Sequence, residues 1–214
     1  MFHHLLTTWF QLVDQWGYWG VFLLMALESS IVPVPSEIVM PPAAFWAAQG
    51  RMSFALVVLA GTAGSYFGSM VSYFVSLYLG KPFVDRYGKY VLLKKEKIEM
   101  AANWVHAHGA AGIFFSRLLP VIRHLISIPA GILKMNFLKF SASTILGAGL
   151  WCLVLSWFGK QVIGENPELL ASPEQMITVL KAKLHYFVLA VFVLALGYLI
   201  ATKGVRPSRK RVKA

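Results

Sequence analysis

The sequence predicts an all-α polytopic membrane protein. Of its 214 residues, 57% are hydrophobic and only 14% are charged, and the mean hydropathy is +0.63. Several apolar runs reach the roughly 20 residues that a helix needs to cross the hydrocarbon core of a bilayer. The nine acidic residues are too few to solvate such a chain in water. These values exclude a soluble enzyme, a disordered chain and a disulfide framework.

The first apolar stretch, residues 17–49, is too long for one upright helix and contains several prolines. Pro33 and Pro35 lack the backbone N–H that a helix interior needs, so we expect two short helices with a break near Ser29 to Pro35, beside Ser36. Broken backbone is tolerated at membrane depth only where protein or water surrounds it. The segment therefore predicts a re-entrant hairpin, and its break indicates a functional site.

The next apolar run, residues 54–79, has no proline and predicts a full transmembrane helix. Small residues recur at every fourth position, which places them on one face and allows another helix to approach closely. We expect ordinary helix packing there, and the same face permits a homodimer. The small residues are Ala60, Gly64, Gly68, Ser72, Ser76 and Gly80.

The second half of the chain repeats this order. An apolar stretch at 109–133 is broken by Pro120 and Pro129, with Gly131 close by, and predicts a second hairpin. A single membrane domain, 1–214, would thus contain two hairpins of inverted topology and about three full transmembrane helices. Its parts are the first half 17–80, a basic connection 81–108 with a helix from about 94 to 107, the second half 109–160 with a span at 140–159, a span at 184–202 and a basic tail 203–214.

The basic residues predict the orientation. Segments 81–108, 134–139 and 203–214 carry six, two and six Lys and Arg residues, and they fall on one side if each hairpin returns to its own side. Cytoplasmic segments of membrane proteins are enriched in Lys and Arg. We therefore expect a cytoplasmic C-terminus, an N-terminus outside and no nucleic-acid partner, because the net charge of +11 belongs to the flanks of membrane spans.

Two acidic residues, Glu28 and Glu37, lie within the first broken segment. A carboxylate inside a membrane is costly unless it is protonated, hydrated or paired, and such residues usually serve a function. Across the hairpin the two side chains can converge and form a proton-coupling pair. The alternative is that they reach the interface or cap a short helix.

Two arginines, Arg117 and Arg123, flank Pro120 in the second broken segment. A guanidinium group donates paired hydrogen bonds that match a phosphate or a carboxylate, and it stays charged. We favour an anion site. The alternative is a structural ion pair with the glutamates, which does not exclude an anion that opens the pair.

No catalytic constellation or metal site is evident. The histidines lack the Cys, Asp or Glu spacing of a metal site, and no cofactor is implied. The segment at 116–124 superficially resembles an element of lipid phosphatases, but it has Arg123 and Ser127 where that element needs His and Asp. No Gly-x-Ser-Gly turn of an intramembrane protease occurs. The tryptophans, including Trp16, Trp19, Trp104 and Trp157, are expected to be interfacial anchors.

Three motifs resemble the DedA family of bacterial membrane proteins: ESSIVPVPSE at 28–37, FFSRLLPVIR at 114–123 and IPAG at 128–131. The resemblance covers residues 17–160. It implies a multi-pass transporter of the inner membrane with facing re-entrant hairpins, related to the wider VTT group that includes lipid scramblases. It also implies undecaprenyl phosphate, the lipid carrier of cell-wall synthesis, as substrate and a dependence on proton motive force.

By matching position, Glu28 and Glu37 resemble the family's acidic pair, and Arg117 and Arg123 its arginine pair. Together with the charges this gives a hypothesis: the arginines bind a lipid phosphate headgroup, while the glutamates exchange protons and compete for the arginines. The partners would be undecaprenyl phosphate, protons and membrane lipids. The alternatives are a proton-coupled exporter of small cations or drugs and an uncoupled phospholipid scramblase.

Overall fold

The computed structural model describes residues 9, 12–30, 36–87, 95–119, 122–123 and 125–165, and every regular element in these ranges is a helix. The predicted span at 184–202 and the basic tail lie outside the described residues, as do Pro33, Pro35 and Pro120. After a helical segment at residues 12–16, the described ranges contain six helices: α1 (Tyr18–Ser30), α2 (Ser36–Ala48), α3 (Phe54–Tyr87), α4 (Lys95–Arg117), α5 (Ser127–Ile132) and α6 (Phe137–Glu165).

Two of these helices are long and apolar enough to cross a membrane. Their apolar stretches run over Phe54–Leu79 in α3 and Phe137–Gln161 in α6. The first has 26 residues, or about 39 Å at 1.5 Å per residue, which exceeds the roughly 30 Å of a hydrocarbon core. Both match spans that the sequence predicts. The large exposed apolar residues on these two helices include Leu59, Phe67, Leu138, Leu146 and Trp157.

The first broken segment contains two helices: α1 ends at Ser30 and α2 begins at Ser36. Both helix ends lie at the stretch where the sequence predicts a break. Helix α2 continues through Pro41 and Pro42, although neither proline can donate the backbone hydrogen bond expected at its position. Both prolines are buried, so packing around α2 compensates for the missing backbone hydrogen bonds.

The second broken segment combines the last part of α4 with the short helix α5. Helix α4 has a kink at Gly109, where φ is 54° and ψ is −130°; a positive φ of this kind favours glycine. The part before the kink corresponds to the helix expected at 94 to 107, and the second predicted hairpin begins at the kink itself. The described residues between α4 and α5, which are 118–119, 122–123 and 125–126, form hydrogen-bonded turns before α5 begins at Ser127.

The helices exchange partners between the two halves of the chain. Helix α1 packs against α3 and α4 packs against α6, so the first helix of each broken segment contacts the long helix of its own half. Helix α2 packs mainly against α6, and α5 packs against α3, so the second helix contacts the long helix of the other half. This reciprocal packing brings the ends of both broken segments between α3 and α6.

The small residues of α3 are used for contacts within the chain, as the sequence analysis prefers. A Cβ atom at Gly64 or Gly68 would overlap carbonyl oxygens of α1, those of Phe22 and Ala26 respectively. Further along the same face, a Cβ atom at Gly131 of α5 would lie 2.9 Å from the Cβ of Ser76. Helices α1 and α5 therefore cover the part of this face around Gly64, Gly68 and Ser76.

Gly68→Ala should destabilise the protein, because the new methyl group would overlap the Ala26 carbonyl oxygen and lie 3.0 Å from the Cβ of Ser29. Overpacking of this kind lowers the free energy of unfolding by roughly 1–3 kcal/mol. Thermal unfolding of the purified protein in detergent measures the effect. Gly149→Ala is the matched control, because its Cβ would lie 3.6 Å from Thr62, an ordinary contact. Equal unfolding temperatures for the two variants would contradict this account of the α1–α3 contact.

Candidate functional site

Arg123 lies at the centre of the site, in the turn between α4 and α5. Its side chain is only 7% exposed. The Nη2 atom donates a hydrogen bond to Oε1 of Glu28 and lies 3.5 Å from Oε1 of Glu37. Two glutamates nine positions apart in the sequence thus converge on one guanidinium group, as the hairpin model allows.

The two glutamates have different surroundings. The Glu28 side chain, near the end of α1, is 1% exposed, and its Oε1 also accepts a hydrogen bond of 2.9 Å from the backbone N–H of Ser36. This N–H belongs to the first residue of α2, where backbone donors lack partners within the helix. The Glu37 side chain, in the first turn of α2, is 19% exposed. Glu28 therefore bridges the break between α1 and α2, whereas Glu37 lies closer to its edge.

Arg117, the last residue of α4, is 2% exposed and has a different partner. Its Nη2 atom donates a hydrogen bond of 2.7 Å to Oγ of Ser127, the first residue of α5. Within the described part of the chain, no carboxylate lies within 4.0 Å of this guanidinium group. The charges of Arg123 and Glu28 both act on it. A buried cation thus has a neutral hydroxyl partner in this structure.

Helix α6 packs against both arginine side chains of the site. A Cβ atom at Gly147 would lie 2.6 Å from the Cβ of Arg117, so only glycine allows α4 to approach α6 this closely. On the same helix, the indole ring of Trp151 lies under Arg123, with 5.1 Å between the ring centroid and the guanidinium Cζ. The Trp151 Nε1 donates a hydrogen bond of 3.1 Å to Oγ of Ser36.

Sequence reasoning did not identify Trp151 as a site residue. Trp16, Trp19 and Trp157, which the sequence predicts to be interfacial anchors, are each more than half exposed, whereas Trp151 is buried. The available signal was position: Trp151 lies in the middle of an apolar span, away from the interfaces where tryptophan is usually found.

The residues predicted at the hairpin breaks have different locations. Ser36 lies at the first break and contributes both its backbone N–H and its hydroxyl group to the site. Gly131 lies within α5, where it contacts α3; the turn of the second segment precedes it.

The site has more hydrogen-bond donors than the described residues can satisfy. Nε of Arg117 and Nε of Arg123 are buried without a hydrogen-bond partner in this part of the structure, and so are the hydroxyl groups of Thr144 and Ser156 on α6. Buried polar atoms are normally paired, and unpaired ones call for a water, an ion or a ligand. The two unpaired arginine donors favour an anionic ligand. No three His, Cys, Asp or Glu residues in the described ranges cluster as metal ligands.

A family model described as the VTT domain, which characterises the DedA family, matches residues 34–161. The chain belongs to the DedA family. The matched region is more than half of the chain and contains Glu37, Arg117, Arg123 and Trp151.

Relatives of this DedA-family chain carry transporter names. It is 38% identical over 146 residues to undecaprenyl phosphate transporter A of Bacillus subtilis, which covers 68% of this chain and 72% of the relative. It is 29% identical over 154 residues to the protein of the same name in Staphylococcus aureus, covering 70% and 76%. An alkaline phosphatase-like protein of Lactococcus lactis is 37% identical over 166 residues, covering 75% and 77%.

No solved structure matches the chain. The family and the relatives' names identify it as a bacterial membrane protein and indicate a transporter rather than an enzyme.

Glu28→Ala should lower the free energy of unfolding by roughly 3–5 kcal/mol, because it removes a buried partner of Arg123 and leaves the Ser36 N–H unpaired. Glu37→Ala should cost less, since its carboxylate is more exposed. Asp14→Ala is the control: its ion pair with Arg51 is at the surface, with 44% and 60% of the side chains exposed, and should contribute only about 0–1 kcal/mol. Thermal unfolding of the three variants measures the effect, and the unfolding temperature should fall most in Glu28→Ala and least in Asp14→Ala. A Glu28→Ala variant as stable as Asp14→Ala would show that the Glu28 contacts contribute little.

Proposed function

We propose that this protein flips undecaprenyl phosphate across the bacterial inner membrane and couples the movement to protons, so that the carrier lipid is recycled in cell envelope synthesis. The observation that carries the proposal is that the two arginines have different kinds of partner. Arg123 is paired with carboxylates, whereas buried Arg117 has only the Ser127 hydroxyl as partner among the described residues. A buried guanidinium group without a counter-ion attracts an anion.

Arg117 suits the first contact with a phosphate group, and Arg123 suits the second. Arg117 can bind a phosphate oxygen through its Nε, which has no hydrogen-bond partner among the described residues, because a guanidinium fork matches phosphate geometry. Arg123 can offer its Nη2 to phosphate only after that atom loses a carboxylate partner. The headgroup and the glutamates therefore compete for the same cation, which is the competition expected from the sequence.

The charges explain why protons would be coupled to the movement. Two glutamates and two arginines balance when both carboxylates are ionised. Protonation of both leaves two positive charges, which match a phosphate monoester of about −1.5 to −2 charge at neutral pH. A buried site is costly unless its charges balance. Phosphate release and proton release would therefore occur together.

The two glutamates differ in their access to water. Glu37 has the more accessible carboxylate, and it lies 3.5 Å from Arg123; Glu28 is buried and also bound to the Ser36 N–H. In the proposed cycle Glu37 lies on the path by which protons reach the site, and protonation of both carboxylates frees Arg123 for phosphate.

The two broken segments would be the moving parts. In the proposal, residues 17–49 and 109–133 form re-entrant hairpins of inverted topology, entering from the outside and the cytoplasmic side respectively, with the C-terminus cytoplasmic. The reciprocal packing of α2 on α6 and of α5 on α3 supports two equivalent halves. Alternate opening of the hairpins would expose the site to each leaflet while the polyprenyl tail remained in the bilayer.

Reconstituted protein should flip undecaprenyl phosphate in proteoliposomes, faster with an imposed pH gradient than without one. Arg117→Lys and Arg123→Lys should each reduce the rate at least tenfold, because lysine keeps the charge but loses the paired donors. Arg51→Lys, in a surface ion pair, is the matched control and should retain the rate. A fluorescent assay of headgroup accessibility measures the flipping rate of each variant with and without the pH gradient. Thermal unfolding confirms that each variant is folded.

Each other outcome of this assay identifies an alternative function. Flipping that is indifferent to the gradient and accepts ordinary phospholipids equally would indicate an uncoupled scramblase. Absence of flipping by folded protein, with both lysine variants retaining proton-driven export of small cations or drugs, would indicate an exporter in which the arginines are structural counter-ions.

Glu37→Gln should weaken the dependence of flipping on the pH gradient, because glutamine cannot lose a proton yet resembles the protonated side chain. We expect the stimulation by a gradient to fall to less than about a third of the wild-type value, with residual gradient-independent flipping. The same assay at a series of imposed gradients measures the change, and Asp14→Asn, at the surface, is the control. Wild-type pH dependence in Glu37→Gln would refute the proposed coupling role of this residue.

A further inference from the structure

We propose that Trp151 and Ser36 stabilise the pairing of Arg123 with the glutamates, and we call these two residues and their contacts the latch. The latch determines how easily a phosphate group can replace the glutamates as the partner of Arg123. The latch rests on the proposed function for its role in transport, but its structural basis is independent of that function. Both residues are positioning residues, because they act on Arg123 and Glu28 rather than on the transported lipid.

The contacts form a closed ring of four residues. Arg123 donates to the carboxylate of Glu28, and that carboxylate accepts the backbone N–H of Ser36 at 2.9 Å. The hydroxyl group of Ser36 accepts the indole N–H of Trp151 at 3.1 Å. The ring of Trp151 returns to Arg123, with the guanidinium carbon 5.1 Å from the ring centroid.

The ring joins four separate parts of the fold. Glu28 belongs to α1, Ser36 to α2, Trp151 to α6 and Arg123 to the turn between α4 and α5. Ser36 is the shared member, because its backbone N–H and its hydroxyl group both act on Glu28, and the hydroxyl group also accepts the indole N–H of Trp151. Displacement of Arg123 from Glu28 therefore also changes the surroundings of Ser36 and Trp151. It thereby alters the hydrogen bond that these two residues form between α2 and α6.

Packing alone does not require these contacts. Helices α2 and α6 already approach closely elsewhere, where a Cβ atom at Gly159 would lie 2.5 Å from the Cα of Pro41. A phenylalanine at position 151 would fill part of the same space without a hydrogen-bond donor. The indole contributes a hydrogen-bond donor aimed at Ser36 and an electron-rich face under a cation, both of which are specific to the site.

Both features of Trp151 stabilise the carboxylate-paired position of Arg123. The indole face attracts the guanidinium group where it contacts Glu28, and the indole N–H fixes the Ser36 hydroxyl so that the Ser36 N–H stays directed at Glu28. A phosphate group must overcome both interactions to recruit Arg123. Loss of the latch should consequently increase the apparent affinity for the phosphate lipid and need not slow its movement.

The test is a double-mutant cycle of Trp151→Phe, which keeps an aromatic face but loses the donor, and Ser36→Ala, which keeps the backbone N–H but loses the acceptor. Flipping of undecaprenyl phosphate in proteoliposomes should show a KM lowered about three- to tenfold in each single variant, the range expected for one hydrogen bond. The double variant should equal Ser36→Ala, since the hydrogen bond that Trp151→Phe removes is already absent when the Ser36 hydroxyl is gone. Trp151→Leu, which also loses the aromatic face, should lower KM further.

Two matched controls separate the latch from general packing. Trp157→Phe changes an exposed tryptophan on the same helix, and Ser69→Ala changes a buried serine whose hydroxyl binds the Ser65 carbonyl within α3. Neither should alter KM. Additive effects in the cycle, or lower kcat or thermal stability with an unchanged KM, would overturn the latch and leave Trp151 as a packing residue.

A second readout does not depend on transport. In protein labelled with 5-fluorotryptophan, the ¹⁹F resonance that disappears in Trp151→Phe belongs to Trp151. It should shift in Ser36→Ala and on addition of farnesyl phosphate, while the Trp157 resonance stays unchanged. Shifts without any flipping would support the latch and refute the proposed function. Flipping without a shift would refute the latch and leave the proposed function intact.

Discussion

The buried charge of Arg123 is the constraint on which the rest of the structure depends. A guanidinium group in an apolar protein interior is stable only with compensating charge and hydrogen bonds. Here Glu28 and Glu37 provide the charge, and Trp151 provides an aromatic face. These groups come from distant parts of the sequence, so the chain must bring the ends of both broken segments to one place.

Close helix packing makes this convergence possible. Glycines at the contacts of α3 with α1 and of α6 with α4 allow the backbones to approach without side chains between them. The exchange of partners, with α2 on α6 and α5 on α3, then places the break of the first segment next to the turn of the second. The break itself leaves backbone donors at the start of α2 without helical partners, and Glu28 accepts one of them. The residue that neutralises Arg123 therefore also stabilises the break.

The two arginines of the site have different partners. One arginine is paired with carboxylates, the other with a hydroxyl group, and two arginine N–H groups have no partner among the described residues. In the proposed cycle a phosphate headgroup and the two carboxylates are alternative partners of the same cation, and protons decide between them. Such competition needs no large energy difference, because each state replaces one set of charged hydrogen bonds with another.

The sequence by itself determined the class of the protein, its two described long helices, the position of the first break and the four ionisable residues of the candidate site. Each of these follows from a local or compositional rule: apolar length, the missing N–H of proline, and the rarity of charges inside a membrane. Only the tertiary structure decided that Arg123 pairs with both glutamates, that Arg117 binds Ser127, that α2 continues through Pro41 and Pro42, and that Trp151 belongs to the site. These features depend on which helix faces surround a residue, and contacts between residues 28, 36, 123 and 151 leave no periodic signal in the chain.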